Sequence, residues 1–159
     1  MRVSSRASAL SRSEVDQLLT RKDISLRERT LWRMLYETAA RSAEVLALDI
    51  GGLDLPSCCA RVRRKGGAID VIVWQTGTAR LLPRLLQGRT AGPVFVTERK
   101  ARVQLPAADL YELGHARLSY QQAEALFAKA SGSATLHQLR HSALTHDAEI
   151  GTGTPMLMR

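Results

Sequence analysis

Four times along this 159-residue chain a serine or threonine is followed, three positions later, by a glutamate or glutamine: Ser11 and Glu14, Ser25 and Glu28, Ser119 and Gln122, Thr135 and Gln138. An α-helix leaves its first N–H groups without partners. Such a pair satisfies two of them, the hydroxyl from one side and the carboxylate or amide from the other. Four helix starts of this kind commit most of the chain to helices. Leu10 and Val15 flank the first as a hydrophobic staple, and Val15, Leu18 and Leu19 then share a face. The second opens a longer helix with Leu31, Leu35 and Thr38 along one side, and Ser42 is placed to cap a short third helix through Leu48. Gly132 ends the helix that Ser119 opens. The helix from Thr135 should run to Ile150, burying Leu139, Ala143 and Leu144, and stop at Gly151. Thr154 and Pro155 read as another N-cap with proline in the first turn.

Between the second and third capping pairs the period changes. "CARVRR" and "AIDVIVW" are rich in β-formers and are separated by "KGG", which predicts a hairpin joining residues near 60–64 to residues near 69–74, with Lys65 at its turn. "GTARLLPRLLQG" returns to helical spacing, Pro83 either kinking that helix or starting its second half. "GPVFV" reads as a short buried strand or extended segment, and residues 98–117 as an irregular connection with a short helix. The expected fold is mainly α-helical with a small antiparallel β-sheet. Residues 1–10 are polar, small and basic and read as a linker; residues 11–159 read as one domain.

The formal net charge of +8 points to a polyanionic partner, with nucleic acid ahead of an anionic membrane and a plain solubility charge as the alternative. No run approaches the roughly 18–20 apolar residues that span a bilayer. "MRVSSRASALSRSE" has no apolar core of signal-peptide length, so a cytoplasmic location is expected. Adjacent Cys58 and Cys59 fit neither a zinc site nor a C-x-x-C redox pair and read as reduced thiols on a strand.

Three of the chain's four histidines fall in "TLHQLRHSALTH". His137 and Arg140, three apart, share a helix face, with His141 nearby. A guanidinium and an imidazole near a helix N-terminus suit a phosphate: the fork matches two phosphoryl oxygens and the imidazole can move a proton. The alternative is an exposed basic face; a metal on His137 and His141 would lack a third ligand. Arg41 lies at a junction between two helices among Ala39, Ala40 and Ala43, and Glu44 can hold its guanidinium. Lys65 sits on a glycine-flanked turn from which it can reach an external ligand, or is simply a polar turn residue.

The order of these groups resembles the catalytic domain of the tyrosine recombinase (phage integrase) family. The likeness runs through "LSRSEVDQLL", "ETAARSAEVLALDI", "VRRKGGAIDVIV" and "LHQLRHSALTH". Ala39 stands where the family usually has glycine, two residues before the arginine. The resemblance implies a site-specific recombinase acting on double-stranded DNA, without metal or cofactor, as part of a recombinase oligomer on DNA. In the family a tyrosine attacks a phosphodiester, forming a 3′-phosphotyrosyl link and releasing a 5′-hydroxyl. Arg41 and Arg140 would hold the non-bridging oxygens, Lys65 would protonate the leaving oxygen, His137 would serve proton transfer with the tyrosine, and Glu44 would orient Arg41. The family's tyrosine follows the His-x-x-Arg box by a few dozen residues. Here only residues 141–159 follow Arg140, and none is a tyrosine; Tyr36, Tyr111 and Tyr120 all precede it. The expectation is therefore a catalytic domain incomplete at its C-terminus, with no nucleophile in this chain and inactive by itself. The competing readings are a DNA-binding remnant without chemistry and, more remotely, a small helical regulator of unrelated fold.

Overall fold

The computed structural model describes residues 8–100 and 115–152. Six helices form there: α1 (Arg12–Thr20), α2 (Leu26–Thr38), α3 (Ser42–Leu46), α4 (Thr76–Leu86), α5 (Tyr120–Ser131) and α6 (Leu136–Thr152). Three strands, β1 (Leu53–Asp54), β2 (Cys59–Arg63) and β3 (Ile69–Val73), make an antiparallel sheet in the order β1-β2-β3. The expected hairpin is β2–β3, with Arg61 opposite Val71 and Arg63 opposite Ile69. The two-residue β1 had no visible sequence signal. A second antiparallel sheet pairs β4 (Val96–Lys100) with β5 (His115–Arg117). The ends of the stretch expected to be irregular are thus extended, and the short helix expected between them falls on 101–114, outside the described residues.

The capping pairs fare unequally, for a local reason. Ser11 with Glu14, Ser119 with Gln122 and Thr135 with Gln138 bond in both directions. At α2 only half forms: the Ser25 hydroxyl accepts from the Glu28 N–H at 3.3 Å, while the Glu28 carboxylate pairs with Arg27 at 2.9 Å. α3 is capped one residue earlier than expected. Arg41, not Ser42, is the N-cap, its N–H donating to Glu44 Oε1 at 3.0 Å, and the helix ends at Leu46 rather than Leu48. α4 has no cap from its own sequence. Glu37 of α2 supplies one, Oε1 accepting from the N–H groups of Gln75 (3.0 Å) and Thr78 (3.1 Å). The helix runs unbroken through Pro83.

α2 is the central element, packed against α1, α4 and α6, while α3 lies between β2 and α5. Trp32, Leu31, Met34 and Leu35 from α2 meet Val45, Trp74, Leu82, Phe95, Phe127, Leu136 and Leu139 in one core. α6 departs from its expected pattern. Leu139 and Ala143 are buried, but Leu144 is 45% exposed, and Gln138, Ser142 and His146 are buried in its place. These three, four residues apart, form a polar stripe along the helix. Gln138 donates from Nε2 to the Ser8 carbonyl at 3.0 Å, and the Ser142 hydroxyl accepts from the Leu10 N–H at 2.7 Å. Arg12 donates to the His146 carbonyl (3.3 Å) and to Glu149 (2.8 Å). Residues 8–12 are therefore laid along α6, and each buried polar group of the stripe has a partner. α6 also continues through Gly151, the residue expected to stop it, to Thr152. The start expected at Thr154 and Pro155 lies outside the described residues.

Candidate phosphate-binding site

The site begins where α2 ends. Ala39 takes the left-handed conformation, φ 55° and ψ 21°, its N–H bonding back to the Leu35 carbonyl at 3.0 Å. That turn reverses the chain so that Arg41 can start α3. Alanine pays a steric cost there that glycine does not. Ala39→Gly is therefore expected to raise stability by about 1 kcal/mol, seen as a melting temperature higher by roughly 2–4 °C. A lower melting temperature would contradict the strain.

The turn also leaves the Ala39 carbonyl free to accept from Arg140 Nε at 2.9 Å. This bond, between residues 101 apart in sequence, docks the α6 guanidinium onto the junction that carries Arg41. The Arg41 side chain is 59% exposed, and its Nη1 lies 3.6 Å from Glu44 Oε2. Glu44 is enclosed, its side chain 7% exposed. Between α3 and the end of the β2 strand lies an open cleft of about 690 Å³, lined by Arg41, Ala43, Ala47, Arg61, Arg64 and Lys65, with Glu44 on its wall. The alanines keep α3 thin, so that long basic side chains define the opening.

Lys65 occupies a one-turn 3₁₀ segment, Lys65–Gly67, and is exposed. Gly66 and Gly67 have φ of 88° and 89°, values only glycine adopts readily. Arg41, Glu44 and Lys65 thus share one cleft, and Arg140 is bonded to the backbone beside it. His137 lies one helical turn before Arg140 on α6, is exposed, and does not line the cleft. His141 is exposed as well.

Two features were not read from the sequence. Arg64 bridges two carboxylates, Nε lying 3.4 Å from Glu44 Oε2 and Nη2 lying 3.1 Å from Asp70 Oδ2. Its only sequence signal was its place beside Lys65 in a basic run. The Tyr36 hydroxyl is bonded to His146 Nδ1 at 2.5 Å. Burial pushes the Tyr36 hydroxyl above the usual phenol range; Arg12 opposes this, while Asp16, Asp147 and Glu149 add to it. Among the described residues no group of three or more His, Cys, Asp or Glu is gathered for a metal, and no helix is long and apolar enough to cross a membrane.

The family model for the phage integrase family matches residues 8–159. The tyrosine recombinase XerC of Chromobacterium violaceum is 27% identical over 138 residues, covering 83% of this chain and 42% of that protein. Among solved structures, the XerA recombinase superposes with a TM-score of 0.67 at 22% identity, over 90% of this chain and 50% of that one. The Tn1549 transposon integrase, solved in complex with circular intermediate DNA, does so with a TM-score of 0.60 at 16% identity, over 90% and 55%. The chain thus spans about half the length of the relatives it matches. The matched residues take in the Arg41 junction, the hairpin and α6, and this chain belongs to the phage integrase family, with the fold of its tyrosine recombinase catalytic domains.

Proposed function

We propose that residues 11–159 form the phosphate-holding part of a site-specific DNA recombinase, acting on double-stranded DNA within a recombinase oligomer. The observation that supports this is the Arg140–Ala39 bond, which anchors a second guanidinium to the backbone two residues before Arg41, itself on the wall of the cleft shared with Lys65. When a tyrosine oxygen attacks a phosphodiester, negative charge grows on the two non-bridging oxygens. Two guanidinium groups on that phosphate stabilise this charge more than they stabilise the starting diester. Glu44 holds the Arg41 backbone N–H and lies near its guanidinium, limiting how far that side chain swings. Lys65 donates a proton to the departing 5′-oxygen, so that a neutral hydroxyl leaves and the 3′-phosphate stays on the tyrosine. His137, one turn from Arg140, exchanges the tyrosine's proton as the link forms and breaks. The covalent link conserves the energy of the broken bond, so these steps call for no cofactor and no metal. The net charge of +8 supports a DNA partner, and action on DNA implies a cytoplasmic setting. The second reading is a DNA-binding unit without chemistry. It is favoured by His137, which is exposed and does not line the cleft of Arg41 and Lys65.

A salt titration tests the DNA contact. Binding to a duplex should weaken steeply as salt rises, because each neutralised phosphate releases counterions. Arg41→Ala and Arg140→Ala should each reduce the slope of log affinity against log salt by about 1 and weaken binding to all sequences alike. Slopes unchanged in both variants would sink the site assignment.

A further inference from the structure

We propose that Arg64 is a positioning residue, holding the Lys65 turn against the Arg41 junction through the buried carboxylate of Glu44. The consequence for phosphate binding rests on the roles of Arg41 and Lys65 proposed above; the tether itself does not.

A carboxylate as enclosed as Glu44 needs close cationic or N–H partners. One oxygen takes the Arg41 N–H. The other lies 3.4 Å from Arg64 Nε and 3.6 Å from Arg41 Nη1. Arg64 is the more enclosed of the two arginines, at 31% against 59% exposure. Its far nitrogen reaches Asp70 Oδ2 on β3, and Asp70 Oδ1 is itself held by the Val71 N–H at 2.8 Å. One planar fork therefore spans two carboxylates, one on α3 and one on the hairpin. A lysine ammonium is a point charge and cannot bridge both in this way. The Arg64 backbone closes the same turn, its N–H donating to the Ala68 carbonyl at 2.7 Å and its carbonyl accepting from the Gly67 N–H at 2.9 Å.

Beyond this residue the turn is Lys65 followed by two glycines of positive φ, a pivot with little stiffness of its own. Lys65 can serve a phosphate held by Arg41 only if that pivot stays close, since small misplacements of a reacting group cost large factors in rate. Arg64 is not itself a free DNA contact, because its guanidinium is engaged by two carboxylates. Arg61 and Arg63, exposed on the same strand, are better placed for that.

Amide hydrogen exchange on the 159-residue chain tests the tether. Arg64→Lys keeps the charge and removes the bridge; Glu44→Gln removes the anchor. Each should speed exchange at position 64 and at Gly67 by about tenfold, in line with loss of a partly enclosed ion pair. The double variant should be no faster than either single one. Rates that do not move in Arg64→Lys, or effects that add in the double variant, would overturn the tether. A second arm measures duplex DNA binding. Lys65→Ala should weaken binding in the wild-type background and clearly less in the Arg64→Lys background. An equal loss in both overturns the positioning role. If Lys65→Ala changes nothing in either background, the phosphate-site reading fails, and exchange alone decides the tether.

Discussion

Trp32→Ala is expected to lower the unfolding free energy by about 3–5 kcal/mol, the usual range for removing a buried large aromatic. Trp32 is 0% exposed and sits in the middle of α2, the helix on which α1, α4 and α6 pack. Its ring meets Phe127 of α5 edge to face, with centroids 4.9 Å apart, so the side chain also joins α2 to the layer beyond α3. Its large buried neighbours Trp74, Phe95 and Phe127 already occupy places of their own in the core. The loss is a large part of a typical domain stability of about 5–15 kcal/mol. Trp32→Phe should cost much less. The indole Nε1 is buried with no hydrogen-bond partner among the described residues, so phenylalanine keeps ring contact and removes an unsatisfied donor. Urea denaturation of the three proteins checks this. Midpoints for Trp32→Ala and Trp32→Phe that coincide would show that α2 is not centred on this ring.

A polypeptide of these 159 residues is expected to form no covalent adduct with DNA. A phosphotyrosyl link needs a phenol oxygen in line with the leaving oxygen at a held phosphate. Tyr36 does not supply one: its hydroxyl is bonded to His146, and burial keeps it protonated above the usual phenol range. Tyr120 is exposed in the first turn of α5, and neither it nor Tyr36 lines the cleft of Arg41 and Lys65. Tyr111 lies outside the described residues. Incubation with a nicked suicide substrate, followed by a denaturing gel, checks the expectation. An adduct that disappears in Tyr36→Phe, Tyr111→Phe or Tyr120→Phe would overturn it. Absence of an adduct together with steep, salt-dependent duplex binding is the expected pair of results.

The helix starts were legible in the amino-acid sequence because a capping pair is a contact between residues three apart, and local backbone geometry alone brings them together. The hairpin was legible for the same reason, since its strands meet across a three-residue turn rich in glycine. The residue types of the candidate site were legible too: Arg41, Glu44, Lys65, His137 and Arg140 carry their chemistry wherever the fold puts them. What the tertiary structure decided was which of these groups meet. The Arg140–Ala39 bond and the α6 contacts with Ser8, Leu10 and Tyr36 join residues more than 100 positions apart, a distance over which periodicity carries no information. That is why Gln138, Ser142 and His146 are buried where an apolar rule placed Leu144. The cap of α4 also comes from afar, from Glu37 of α2, 38 positions before Gln75, whereas Glu28 left its capping pair for its immediate neighbour Arg27. A polar side chain goes to its best available partner, and only the folded chain determines which partners are within reach.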